Sequence, residues 1–145
     1  MQKIYLASPY SSPDEVTRND RVKLASIVAA RLMEEGYVVF SPITHGHRVI
    51  DHLHHANANS HDFWMRQCLP MVKVCDWLIV LPIHGWRESR GIAEEMAFAK
   101  VNRIPTFLWQ TADPRFELLD DEEIEICQYS IFRSTNLTDN EKEFA

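Results

Sequence analysis

Glycine is scarce in this chain of 145 residues. The four present, Gly36, Gly46, Gly85 and Gly91, cannot build a Walker phosphate loop or a GxGxxG dinucleotide loop. Long hydrophobic runs are missing too. Nothing approaches the roughly 20 apolar residues of a membrane span, and the stretch from Met1 to Ala7 is too short for a secretory signal. Cysteine is limited to Cys68, Cys75 and Cys127, an odd and sparse set that points to reduced thiols and a cytoplasmic location. A basic stripe is also lacking. The net charge is −6, but residues 113–145 carry ten acidic and three basic groups, against eleven and twelve in residues 1–112. The body is therefore close to neutral, which argues against a nucleic-acid polymer as partner. The acidic run from Glu117 to Glu125 reads as a solvated face.

What is present is an alternation of short apolar runs and helical periods. Lys3–Ser8 reads as a buried strand closed by Pro9. Ser12, Pro13 and Glu15 form a helix-start signature with a capping box, and the helix runs to Gly36 with Val16, Leu24, Ile27, Val28, Leu32 and Met33 as its apolar stripe. Tyr37–Ser41 is the second strand, followed by a polar, histidine-rich loop to about Ser60. A helix over Asp62–Cys75, a strand over Trp77–Leu81, a helix over Gly91–Asn102 and a strand over Pro105–Trp109 complete the pattern.

Continuously apolar strands alternating with helices predict one α/β domain. It should be flavodoxin-like (Rossmann-like), with a four- or five-stranded parallel sheet and helices on both faces. Residues 1–112 form this domain, and 113–145 an acidic segment packed on it or on a neighbouring subunit, where Tyr129, Ile131 and Phe132 are interface candidates. Ligands of such sheets lie at the carboxyl ends of the strands. Here those ends are Ser8-Pro9-Tyr10, Ser41-Pro42-Ile43-Thr44-His45 and the loop His84–Gly91.

The segment Ser89–Ala97 carries the most chemistry. Ser89 and Gly91 stand where a strand-end loop turns into a helix, so free N–H groups and the helix dipole make an anion site suited to a phosphate or sugar hydroxyl. Ile92, Ala93, Met96 and Ala99 form the inward stripe. Glu95 borders it, and Glu94 points away toward Arg90. A carboxylate at the edge of a core is a candidate nucleophile or base, and a solvated helix glutamate is the plain alternative.

The pieces Ile4–Tyr10, Phe40–His45, Cys75-Asp76, Gly85-Trp86, Ser89, Gly91, Glu95 and Pro105 stand in an order and spacing that resemble the nucleoside 2-deoxyribosyltransferase-like superfamily. That superfamily includes the 2′-deoxynucleoside 5′-monophosphate N-glycosidases, and the likeness is to a small bacterial and phage branch. It covers roughly residues 3–109. It implies Glu95 as the nucleophile at the anomeric carbon, Ser89 and Gly91 as phosphate contacts, and Ser8 and Tyr10 as contacts to sugar and base. It also implies a homodimer or higher homo-oligomer in which a neighbour completes the pocket. The chain departs from the pattern at Cys68, where members commonly carry an aspartate eight residues before the counterpart of Asp76. A thiol, with an ordinary pKa of about 8.5, is a poor substitute. Asp62, nearly two turns earlier, is left as the catalytic acid candidate, while Asp76 reads as structural.

Other signals weigh less. His45, at a strand end, is the histidine best placed for binding or proton transfer. Asp51, His52, His54 and His55 could be read as a metal site, but no cysteine partners them and no HExxH occurs, so no metal or cofactor is implied. Trp86 could stack on a base, Arg21 reads as half of a surface salt bridge, and Cys68 and Cys75 read as buried apolar residues. The sequence thus points to cleavage or transfer at the N-glycosidic bond of a nucleoside or nucleoside 5′-monophosphate. The alternative is a module that binds such a ligand without cleaving it.

Overall fold

A computed structural model describes residues 1–117 and the backbone of 130–133. The chain runs β1 (Lys3–Ala7), α1 (Glu15–Glu34), β2 (Val38–Phe40), α2 (Pro42–Val49), α3 (His55–Ala58), α4 (His61–Val74), β3 (Trp77–Val80), α5 (Arg90–Val101), β4 (Thr106–Gln110) and β5 (Ser130–Arg133). A 3-10 turn, Ile50–His52, joins α2 to α3. All five strands are parallel in the order β2-β1-β3-β4-β5, with Tyr5 opposite Phe40 on one side and Leu78 on the other. The expected flavodoxin-like sheet is therefore present. Residues 118–125 of the acidic run and Tyr129 lie outside the described residues, and β5, with Ile131 and Phe132, pairs with the domain's own β4.

After Lys3, the central strands β1 and β3 are apolar because both faces are covered. Alternation sends Ile4, Leu6, Ile79 and Leu81 into a core shared with Leu24, Val28 and Leu32 of α1. It sends Tyr5, Ala7, Leu78 and Val80 into a second core with Cys68 and Val72 of α4 and Ile92 and Ala99 of α5. A tyrosine on the second face is what brings a hydroxyl into the α4–α5 layer.

Three expectations change. Helix α1 is capped by Asp14, whose carboxylate accepts from Val16 and Thr17 N–H at 3.3 Å, and Ser12 instead accepts from the Asp14 N–H. An aspartate one position beyond Pro13 already meets the orphan donors, so the helix starts there. Val16 and Met33 are exposed while Ala25 and Ala29 are buried, because the buried stripe runs through small residues facing the sheet. The histidine-rich stretch is helical rather than a loop. Ser41 caps α2 with Pro42 in the first turn, the same start signal that the strand-ending proline concealed. The end of α1 follows expectation: Gly36, at φ +98°, closes a Schellman motif in which Tyr37 N–H donates to Leu32 C=O at 3.1 Å.

Candidate active site

The chain leaves β1 for β2 on one side and places β3, β4 and β5 on the other. The loops after β1 and β3 therefore diverge, and a crevice opens at their carboxyl ends. Ser8, the first residue past β1, is 6% exposed and its Oγ has no hydrogen-bond partner. Such a hydroxyl is costly to bury unless something else meets it.

The β3–α5 loop delivers the other wall. Ser89 caps α5, its Oγ accepting from Ile92 N–H at 3.2 Å, so the N–H groups of Arg90 and Gly91 are first-turn donors without an intrahelical acceptor. The buried residues of α5 are Ile92, Glu95 and Ala99. Glu95 is thus at the centre of the inward stripe rather than on its border, and Ala93 is exposed. The stripe expected from apolar residues alone was rotated, because a carboxylate was not counted as a core residue.

Glu95 is 4% exposed and accepts a hydrogen bond at Oε2 from the Tyr5 hydroxyl. Side chains on a helix lean toward its N-terminus. The other oxygen, Oε1, accordingly faces Gly91, where an added Cβ would sit 3.9 Å from it, 3.8 Å from Ser89 Oγ and 3.7 Å from Met65 Cε. Burial pushes the Glu95 carboxyl up to about 7, opposed by the Tyr5 hydrogen bond. Burial, the nearby Glu95 charge and Cys68 together hold the Tyr5 hydroxyl far above the ordinary tyrosine range. Cys68 lies within hydrogen-bond reach of Tyr5, and burial lifts its thiol to about 11. Tyr5 was not singled out in the sequence, although the strand alternation that buries it was legible there.

A stack of rings continues from Tyr5 toward the mouth. Phe40 lies 5.8 Å from Tyr5, and His45 lies 5.7 Å from Phe40, on the exposed side of α2. The Tyr10 hydroxyl lies 2.8 Å from His47 Nδ1. Glu94 points away from Glu95, with its Oε1 3.0 Å from His61 Nε2 and 3.8 Å from Arg90 Nε.

A family model described as a domain of unknown function (DUF1937) matches residues 2–111. The chain belongs to that family. No curated protein sequence matches it. Among solved structures, this DUF1937 member is similar to a 2-deoxyribosyltransferase from Bacillus psychrosaccharolyticus at 22% identity and a TM-score of 0.58, covering 96% of this chain and 90% of that one. It is also similar to a conserved protein from Enterococcus faecalis V583 at 18% identity and a TM-score of 0.50, covering 99% and 96%. Both likenesses show the fold.

Several candidates of this DUF1937 domain sit apart from the Glu95 pair or serve differently. Asp62 is exposed, in an open groove of α4 lined with Met65, Arg66, Leu69 and Pro70, whereas Cys68 and Val72 are the buried residues of that helix. Trp86 is only 6% exposed and packs in the second core. Its Nε1–H donates to Glu117 at 3.0 Å and Arg87 covers its ring at 4.8 Å, so no open face awaits a base. Asp76 is structural, accepting from Lys3 N–H at 2.7 Å where β1 and β3 begin. Among the described residues Arg21 makes no salt bridge, and it donates instead to main-chain carbonyls of both crevice loops. Among the described residues, no three His, Cys, Asp or Glu side chains gather as a metal site, and no helix is long and apolar enough to cross a membrane.

Proposed function

We propose that this protein breaks or transfers the N-glycosidic bond of a nucleoside or nucleoside 5′-monophosphate, with Glu95 as nucleophile. The observation that carries the reading is a buried carboxylate held at Oε2 by Tyr5, with Oε1 free of that bond and facing the bare backbone of Gly91. In this scheme Oε1 forms a bond to the anomeric carbon as the C–N bond breaks. The base leaves with the bonding electrons and takes up a proton, for which exposed His45 is the proposed source. Water or a second base then attacks the same carbon and releases the carboxylate. Charge on the oxocarbenium-like state is what a carboxylate at this position stabilises or traps. Ser8 and Tyr10 would meet sugar and base, and Ser89 with the Arg90 and Gly91 N–H groups would meet a phosphate. The same reading carries a homo-oligomer in the cytoplasm, with no cofactor.

The test is incubation with a panel of nucleosides, 2′-deoxynucleosides and their 5′-monophosphates, with and without an acceptor base, followed by chromatography. Wild type is expected to release or exchange base, and Glu95→Gln is expected to do neither. Equal release by both proteins would overturn the assignment.

A second reading, a binding module, draws on Cys68. A thiol lifted to about 11 is a far weaker acid toward a leaving base than a carboxyl group. A nucleotide that raises the melting temperature and is recovered intact would favour this reading.

A further inference from the structure

We infer that Arg21 is a positioning residue that clasps the loop after β1 to the loop after β3 and thereby fixes the mouth of the crevice. The stretch between Ala7 and Glu15 holds two prolines, Pro9 and Pro13, so its carbonyls have few local N–H partners. Arginines on the first two turns of α1 meet them instead. Arg18 Nη1 donates to Ser12 C=O, and Arg21 Nη1 donates to Ser11 C=O at 2.9 Å and Tyr10 C=O at 3.3 Å. The remaining arm, Arg21 Nη2, crosses to the other loop and donates to His84 C=O at 3.0 Å. Only a planar fork with divergent donors spans both loops in this way.

The residue after His84 is built around this contact. Gly85 has φ +91°, and a Cβ there would come within 2.7 Å of Arg21 Nη2. Among the described residues no carboxylate pairs with Arg21, and burial lowers its pKa. A part-buried guanidinium that meets three carbonyls and no carboxylate among the described residues is kept for what its geometry holds rather than for ion pairing. The far side of the same loop is pinned separately. Glu117 accepts from Trp86 Nε1–H and Arg87, and its N–H donates to Pro82 C=O at 2.7 Å. Glu117 also lies 3.5 Å from the His84 ring at Nδ1, so release of Arg21 frees the His84 carbonyl and the Tyr10–Ser11 stretch while the side chains of this loop stay tied to Glu117. Glu95 itself is fixed elsewhere, by Tyr5 and by the packing of α5, so the clasp acts on ligand contacts and not on the nucleophile.

Hydrogen–deuterium exchange on the full chain tests the clasp without reference to any activity. In Arg21→Met, peptides covering residues 8–12 and 82–88 are expected to exchange about tenfold faster together, while residues 24–32 stay as in wild type. Arg21→Lys should fall between, since one ammonium cannot reach both loops at once. Gly85→Ala should speed exchange in both loops at least as much as Arg21→Met, because the new Cβ displaces Nη2 and the left-handed φ adds strain of its own. Change confined to one loop overturns the inference. The catalytic arm rests on the proposed glycosidic activity. For base release, KM should rise about tenfold in Arg21→Met with kcat within about twofold, and an unchanged KM also overturns it. Should wild type release no base, the glycosidic reading fails and the exchange experiment still decides the clasp.

Discussion

Helices α4 and α5 start with the same device, a serine whose hydroxyl accepts the N–H three residues on, at 3.2 Å in each case. Each then offers a carboxylate, and the two meet opposite surroundings. Asp62 comes two residues after its cap and is exposed beside Arg66 in an open groove. Glu95 comes six residues after its cap, turned under the helix, buried and held by Tyr5. Capping starts a helix and carries no chemistry. What separates the two acids is which face of the helix their offset selects, and hence whether water or an apolar layer surrounds the carboxylate.

Substitution at both positions sharpens this contrast most strongly in turnover. Glu95→Gln removes the lone pair that would attack, and base release is expected to fall by about a thousandfold or more. Asp62→Asn is expected to stay within about threefold of wild type, because a solvated carboxylate in the α4 groove touches nothing in the Glu95 pair. An equally large loss in Asp62→Asn would restore that residue as the catalytic acid and break the comparison.

The next effect is on stability. Because burial raises Glu95 from an ordinary 4.5 to about 7, the folded state holds a proton that the unfolded chain has already lost over that range. The contribution of this group to stability is therefore greatest below about pH 4.5 and declines as pH rises toward 7, by about 3 kcal/mol. Urea unfolding at pH 5 and pH 8 checks it. The drop between the two should be smaller in Glu95→Gln by about that amount, and unchanged in Asp62→Asn.

The legible and illegible parts of the sequence divide along physical lines. The first four strands and the flavodoxin-like order could be read because runs such as Trp77–Leu81 are apolar on both faces and Gly36 stops α1 by its backbone, whereas β5, Ser130–Arg133, lies in a segment with no such run. Glu95 was found as a candidate, yet its place at the centre of the α5 stripe was not, since hydropathy counts a glutamate as a surface residue. Tyr5 and Arg21 were missed as site residues for a common reason. Each acts across the fold, Tyr5 on a carboxylate 90 residues away and Arg21 on a carbonyl 63 residues away, and neither spacing leaves a local pattern. The burial of Trp86 leaves no mark in the sequence because its partner Glu117 belongs to a run whose composition is that of a solvated face.

Tyr5→Phe probes how Glu95 is tuned. The hydroxyl is the group that opposes burial, so its removal should lift the Glu95 carboxyl further above 7. If ionised Glu95 is the nucleophile, the acid limb of the pH–rate profile for base release should move to higher pH by about one unit. No such move is expected in Asp62→Asn. A limb unmoved by Tyr5→Phe would mean that another group governs it.

The smallest effect concerns the neighbouring glutamate. Glu94 shares its helix turn with Glu95 but is part-exposed, and its partners His61 and Arg90 lie on the same rim. Exposed pairs of this kind contribute about 0.5 kcal/mol or less, since water already solvates both charges. Glu94→Gln should therefore leave the melting temperature within about 2 °C and the rate and pH profile of base release unchanged. Because the two side chains differ by a single step of about 100° around the helix, a large loss in Glu94→Gln would show that helix-face placement does not separate reactive from solvated carboxylates in this domain.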